Sequence, residues 1–297
     1  MTLPLINSDE LAAIHQKVLE RKTRQAIATT FAPGLHTSRQ RGQGVELVDT
    51  RPYHDGDDIR HMDWRATARS GKATMKVFRE ERQRNLYLVI DKTSTMQFGT
   101  RTTFKANAAA RAAAILALST VTQHEPTAGL IIGEQSRSFP PTRSTNKVIN
   151  LINAIAAPIE TKTTPLWHNA DINTLLTQAR QETQLGSTLI LISDFIGFDK
   201  KHQPLISQLA HQRQLIAIHV TDPAEQSIPD IGEVSFYSPI TLKQHRVNTS
   251  DPNVREAFEK SMQQRHTALR RFFASCNAPT YPLNTQQDVF SQLEGVW

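Results

Sequence analysis

The chain has little of what builds cross-linked, metal-clustered or membrane-spanning proteins. Cys276 is its single cysteine, which excludes an internal disulfide and a cysteine-rich zinc site. The longest uninterrupted apolar run covers only residues 112–118, whereas a transmembrane helix needs roughly 20 such residues. Residues 1–20 are interrupted by charged side chains and lack the apolar core of a signal peptide. These absences predict a soluble, cytoplasmic protein.

The charge balance is mildly basic, and the surplus is uneven. The 34 Lys and Arg against 28 Asp and Glu give a net charge of +6. Residues 1–84 hold 15 basic and 11 acidic side chains, so this region alone has a net charge of 15 − 11 = +4. Such a region could bind nucleic acid or an anionic surface, above all through the arm between Arg24 and Arg41. Because acids are interspersed and no ladder of aromatic and basic residues occurs, this function is our alternative and not our first prediction.

From residue 85 onward, apolar strands alternate with helical patterns. The predicted strands cover 85–90, 128–133, 187–193 and 215–220, and the predicted helices cover 103–119, 147–156 and 171–184. This alternation predicts an α/β fold with a doubly wound, mostly parallel sheet. In such folds ligands bind at the carboxyl ends of the strands.

The pattern also predicts four segments. Residues 1–43 form an N-terminal helix and a basic arm, with the arm beginning near residue 27. Residues 44–84 form a small β-rich subdomain, and residues 85–222 form the α/β domain. Residues 223–297 are irregular at first and then form helices that pack on the core, the longest opening at Asp251 and Pro252.

Polar side chains follow the first strand of the predicted sheet. Asp91 ends that strand, and the hydroxyls of Thr93 and Thr95 follow two and four residues later. Asp194 ends a second strand and could add another carboxylate. Oxygen ligands of this kind suit Mg²⁺, although the same hydroxyls can simply turn the chain into the next helix. The sequence is consistent with either interpretation.

This segment resembles the metal-ion-dependent adhesion site of von Willebrand factor A domains, whose first loop reads Asp-x-Ser-x-Ser. The resemblance implies a fold of that type, and it implies Asp91, Thr93, Thr95 and Asp194 as metal ligands. The family's second loop carries a metal-binding threonine, at whose position this chain has Ala170, and Lys92 adds a positive charge nearby. Asn169 and Asp171 are substitute ligands in this interpretation. We therefore expect weak Mg²⁺ binding or none.

A second motif lies upstream, and its charged and aromatic residues are closely spaced. It comprises Gly44, Glu46, Arg51, Tyr53, Gly56, Asp57, Asp58, Arg60, Asp63, Trp64 and Arg69. We expect Gly56 to permit a tight turn, the aspartates to pair with arginines, and Tyr53 and Trp64 to anchor the subdomain by burial. The motif is therefore predicted to be mainly structural, and docking of a partner is the alternative.

With this motif, residues 40–297 resemble the DUF58 family, in which it precedes a von Willebrand factor A-like domain. The resemblance implies a partner, a MoxR-type AAA+ ATPase, and a role in protein maturation or complex assembly. The chain has no phosphate-binding loop, Gly-x-Ser-x-Gly elbow or His-Glu-x-x-His motif, so ATP chemistry would come from the partner. We predict a non-enzymatic adaptor that binds partner carboxylates at the strand ends. The carboxylate would complete the coordination of a metal ion, or would accept hydrogen bonds directly from Thr93, Thr95 and Lys92.

Overall fold

A computed structural model describes residues 4–31, 45–54, 57–80, 85–99, 103–133, 136–159, 172–237, 244–294 and 296. The chain forms two compact units. The larger comprises Met1–Ala26 with Arg84–Trp297, and the smaller comprises Ile27–Gln83. The four segments expected from the sequence stay a prediction.

The elements of the described residues are as follows. The helices are α1 (Ser8–Phe31), α2 (Trp64–Ser70), α3 (Lys105–Thr122), α4 (Thr145–Ala156), α5 (Ile172–Glu182), α6 (Gln203–Gln212), α7 (Pro252–Ser275) and α8 (Val289–Gln292). The strands are β1 (Val45–Pro52), β2 (Thr74–Glu80), β3 (Leu86–Asp91), β4 (Thr127–Ile132), β5 (Arg137–Thr142), β6 (Thr188–Ser193), β7 (Gln214–Thr221), β8 (Glu233–Tyr237), β9 (Gln244–Asn248) and β10 (Thr280–Asn284).

The larger unit is built on a six-stranded sheet with the order β10-β7-β6-β3-β4-β5. Neighbouring strands are parallel, except that β5 runs antiparallel to β4 at one edge. The order reverses at β3, whose neighbours β4 and β6 lie on opposite sides. The predicted class, an α/β fold with a mostly parallel sheet, is confirmed. The reversal places a crevice at the carboxyl ends of β3 and β6.

Two helical layers cover this sheet because its central strand is apolar on both faces. Leu88 and Ile90 of β3 pack into a core shared with α1, α3 and α4. Tyr87 and Val89 point the other way, into a core shared with α5, α6 and α7. The alanines of α3 are almost completely buried, as expected for a helix that approaches the sheet closely.

The smaller unit is an antiparallel pair of strands with a short helix. β1 pairs with β2, a 3-10 turn occupies Ile59–His61, and α2 follows it. Gly71 follows α2 as its C-terminal cap, and its φ of 66° is the left-handed conformation that glycine adopts without strain.

Several elements differ from the sequence predictions. α1 continues to Phe31, through residues predicted to begin the arm. β5 and β10 were not predicted, because Arg137–Thr142 contains two prolines and Thr280–Asn284 contains one, and proline is typical of edge strands only. Among the described residues, no helix is both long and apolar enough to cross a membrane.

Candidate functional site

Three of the four predicted site residues form one hydrogen-bonded cluster at the end of β3. Asp91 Oδ1 accepts hydrogen bonds from the backbone N–H of Thr93 (2.8 Å) and from Thr93 Oγ1 (2.6 Å). Thr95 Oγ1 lies 3.3 Å from Thr93 Oγ1. Ser193, which the sequence analysis did not select, donates its hydroxyl to Asp91 Oδ2 at 2.6 Å. Both carboxylate oxygens of Asp91 therefore have buried donors.

Asp194, the fourth predicted residue, follows β6 beside this cluster. Its Oδ1 accepts the backbone N–H of Ile196 at 3.0 Å. Burial raises the pKa of Asp91 to about 6, and the negative charge of Asp194 adds to that increase. The charge of Asp194 therefore acts on Asp91, as expected if the two strand-end carboxylates share one crevice.

Lys105, the first residue of α3, is the main functional residue that sequence reasoning missed. Its ammonium Nζ lies 2.7 Å from Asp194 Oδ2 and 2.6 Å from Glu225 Oε1, and 5.7 Å from the centre of the Phe98 ring. The side chain is 1% exposed. Burial alone would lower the pKa of Lys105, but Asp194 and Glu225 raise it above its usual value. The sequence feature that could have pointed to Lys105 is its place as the first residue of a helix otherwise rich in alanine.

Glu225 closes the crevice from a third element. It lies on the 3-10 turn Pro223–Glu225 after β7, where its Oε2 accepts the backbone N–H of Asp222 at 3.1 Å. His219 lies on β7, and its pKa is lowered to about 3 by burial and by the neighbouring His266. His219 is therefore neutral and adds no positive charge beside Lys105.

Lys92 does not face the crevice in the way that the sequence suggested. Its ammonium donates hydrogen bonds to the carbonyl oxygens of Ala154 (3.1 Å) and Ala157 (2.7 Å), at the C-terminal end of α4. Burial lowers the pKa of Lys92 to about 8, and Arg137 contributes to the decrease. The cation there stabilises the unpaired carbonyls of a helix end.

The donor atoms of the cluster are of the type that Mg²⁺ prefers, but the available charge is small. Asp91, Thr93, Thr95 and Ser193 provide a carboxylate and three hydroxyls. The charge of Asp194 is already paired with Lys105. Asn169, Ala170 and Asp171 lie outside the described residues. In the described part of the chain, no three His, Cys, Asp or Glu residues are arranged to hold a metal ion.

The charged residues of the upstream motif form local pairs in the smaller unit. Arg51 binds Asp57 through two nitrogens, at 2.7 and 2.6 Å, and this pairing lowers the pKa of Asp57 to about 2. Asp58 caps the following 3-10 turn and lies 3.4 Å from Arg60. Gly44 and Gly56 and the side chain of Glu46 lie outside the description.

Two expectations for this motif were wrong. Asp63 makes no ion pair with an arginine among the described residues; it caps α2 by accepting the backbone N–H of Ala66 at 3.0 Å. Trp64 is 64% exposed and does not anchor the subdomain by burial, whereas Tyr53 is half-buried. Arg69 bonds the carbonyl of Arg65 within the same helix. The basic arm after Phe31 lies outside the described residues.

The sheet order and the polar crevice at its reversal define a doubly wound α/β protein with a candidate binding site at the strand ends. Residues 49–268 match the family described as "Protein of unknown function DUF58". The chain belongs to this family.

Similar proteins include the uncharacterized protein Rv1480 of Mycobacterium tuberculosis, which is 27% identical over 95% of this chain and 87% of its own length. Mb1516 of Mycobacterium bovis has the same values. Among solved structures, an aerotolerance-related membrane protein from Bacteroides fragilis has a TM-score of 0.44 and 12% identity, over 70% of this chain and 94% of its own. A von Willebrand factor type A protein from Catenulispora acidiphila has a TM-score of 0.33 and 17% identity, over 64% and 44%. The two structures are thus only distantly similar.

Proposed function

We propose that this protein is a non-enzymatic binding module that acts as an adaptor for a MoxR-type AAA+ ATPase in protein maturation or complex assembly. Its membership of the DUF58 family supports the proposal through the association of that family with such ATPases. The chain has no phosphate-binding loop, so nucleotide chemistry belongs to the partner in this scheme.

The observation that carries the proposal is the closed polar network at the strand ends. The hydroxyls of Thr93 and Ser193 both donate to the buried carboxylate of Asp91, one to each of its oxygens. The network arranges buried oxygens around one point, which is what a binding site for a cation or a partner group requires.

In this proposal the crevice binds a carboxylate of the partner protein. Asp91, Thr93 and Thr95 would hold a Mg²⁺ ion, with Asp194 behind them. A bound ion supplies an open coordination position for the partner's carboxylate. Its affinity is expected to be low because Lys105 already balances the charge of Asp194.

The test is direct binding to a purified MoxR-type ATPase, measured by biolayer interferometry with and without ATP. We expect nucleotide-dependent binding that Asp91→Ala abolishes, whereas Asp9→Ala on the exposed first turn of α1 leaves it unchanged. Loss of binding in EDTA would assign the contact to a metal ion. Binding that neither Asp91→Ala nor EDTA changes would remove the crevice from the mechanism. Binding to nucleic acid that weakens steeply with salt would favour the basic arm instead.

A further inference from the structure

One buried ammonium in the crevice is shared by two carboxylates that differ in exposure. Asp194 is 2% exposed and is held by the sheet, whereas the side chain of Glu225 is 21% exposed. Glu225 belongs to a short 3-10 turn beyond the end of β7. The inner carboxylate is therefore a fixed part of the core, and the outer carboxylate lies at the mouth.

A buried lysine needs such partners. Moving an ammonium out of water costs several kcal/mol, unless hydrogen bonds and opposite charges compensate it. Asp194 compensates the inner side of Lys105, at 2.7 Å. The side of the ammonium toward the mouth also needs an anion, and in the free chain Glu225 fills that position at 2.6 Å.

We propose that Lys105 is a carboxylate-binding site whose internal occupant is Glu225, and that a carboxylate from a partner protein binds Lys105 by displacing Glu225. The assignment of the ligand to a partner protein rests on the proposed function above. The existence of the site does not, because it depends on Lys105, Glu225 and the turn that carries them. In the route without a metal ion, Lys105 then takes the role that the sequence analysis gave to Lys92, as the cationic side chain that binds the carboxylate directly.

The geometry favours a carboxylate over other anions. The position of Glu225 offers two donors, the Lys105 ammonium and the backbone N–H of Asp222, and each binds a different oxygen of the same carboxylate. A carboxylate has two oxygens and a single negative charge, so each of its oxygens can accept a hydrogen bond from one of these two donors. A doubly charged phosphate would face the nearby negative charge of Asp194 and is disfavoured.

The site can be tested without a partner protein, by removing the Glu225 carboxylate and adding a free carboxylate, acetate, in its place. Glu225→Ala leaves Lys105 without its outer anion and opens space for a small carboxylate. Sodium acetate should then raise the melting temperature of Glu225→Ala in a saturable way, by about 2–4 °C relative to sodium chloride at equal ionic strength. Wild type should show no such difference, because its own carboxylate occupies the site.

Two controls isolate the ammonium. Glu225→Gln keeps the volume of the side chain and should block acetate, so its response should be absent. Lys105→Met combined with Glu225→Ala removes the binding group and should also abolish the response. If Glu225→Ala does not fold in chloride, the refolding yield in acetate against chloride gives the same comparison. The site would be overturned if acetate did not stabilise Glu225→Ala, or if it stabilised wild type or the double variant as much as it stabilised Glu225→Ala.

The identity of the displacing group is tested separately with the ATPase. Glu225→Ala should bind the ATPase about fivefold or more tightly than wild type, because the internal competitor is removed. Unchanged or weaker binding overturns the assignment of the ligand to this partner, even when acetate rescue succeeds. If the ATPase binds neither wild type nor the variant, the proposed function is overturned. The acetate experiment then decides alone whether Lys105 is a carboxylate-binding site.

Discussion

Each unit of the molecule contains a cluster of aspartates and cations, and the two clusters differ chiefly in burial. In the smaller unit, Arg51 and Asp57 form a bidentate pair with side chains 45% and 19% exposed. In the larger unit, Lys105 and Asp194 meet at a similar distance with both side chains almost fully buried. Water screens the first pair, so it contributes little to stability. Water cannot reach the buried pair of Lys105 and Asp194 to solvate a charge whose partner is removed. Removing one member of this pair should therefore lower the free energy of unfolding strongly.

The largest expected effect is that of Lys105→Met. The substitution leaves Asp194 and Glu225 in the crevice without a counter-charge, and it should lower the free energy of unfolding by about 3–5 kcal/mol. Arg51→Met, the matched change in the smaller unit, should have a much smaller effect, because water screens the exposed pair. Urea denaturation followed by circular dichroism and by fluorescence measures both variants. Equal costs for the two variants would show that burial does not distinguish the clusters.

An intermediate effect is expected for Asp63→Ala. The variant removes the side-chain cap of α2 and should cost about 0.5–2 kcal/mol, the usual range for a lost N-cap. Asp63→Asn keeps an acceptor at the same position and should restore most of that loss. Amide hydrogen exchange across α2, read by mass spectrometry, locates the change. If Asp63→Asn is as damaging as Asp63→Ala, the charge of Asp63 matters more than its capping bond.

A small effect is expected for Trp64→Ala. Because Trp64 is largely exposed, its removal should change the free energy of unfolding by no more than about 0.5 kcal/mol. Met75→Ala in the same unit removes a buried side chain and should cost about 2–5 kcal/mol, which makes it the control. If Trp64→Ala keeps its stability but loses binding to the ATPase, the exposed face of α2 is a docking surface.

The smallest effect concerns the pH dependence of the exposed pair. Arg51 lowers the pKa of Asp57 to about 2 from its usual 3.8. The stabilisation is therefore complete above about pH 4 and is lost as the pH falls toward 2. Carbon-detected NMR of the Asp57 carboxyl should show this value, and Arg51→Gln should raise the pKa toward the usual range, although the hydrogen bond from the backbone N–H of His54 remains. A normal pKa in the wild-type protein would mean that the pair is not formed in solution.

The sequence predicted the positions of β3, β4, β6 and β7, because continuous apolar runs between helical segments are a local signal. It also located Asp91, Thr93 and Thr95, which lie within five positions of one another and bond locally. It did not find Lys105 and Glu225. The ammonium pairs with residues 89 and 120 positions away, and no local pattern indicates such a pairing.

The sequence also misjudged burial in the upstream motif. A tryptophan between charged residues can cover a core or face water. The local sequence pattern does not distinguish the two cases. In the structure Trp64 begins α2 directly after its capping Asp63, and the side chain extends outward. The small unit offers few apolar partners among its described side chains, and Met75 is the buried one.

By itself the sequence determined the alternation of strands and helices and the placement of oxygen-bearing residues at the strand ends. These follow from short-range rules, because apolar periodicity and turn chemistry act over a few residues. Only the tertiary structure decided that Lys105 neutralises Asp194, that Glu225 lies at the mouth and that Lys92 turns away to α4. Those outcomes depend on which elements the sheet order brings together, and on the cost of leaving a buried charge unpaired.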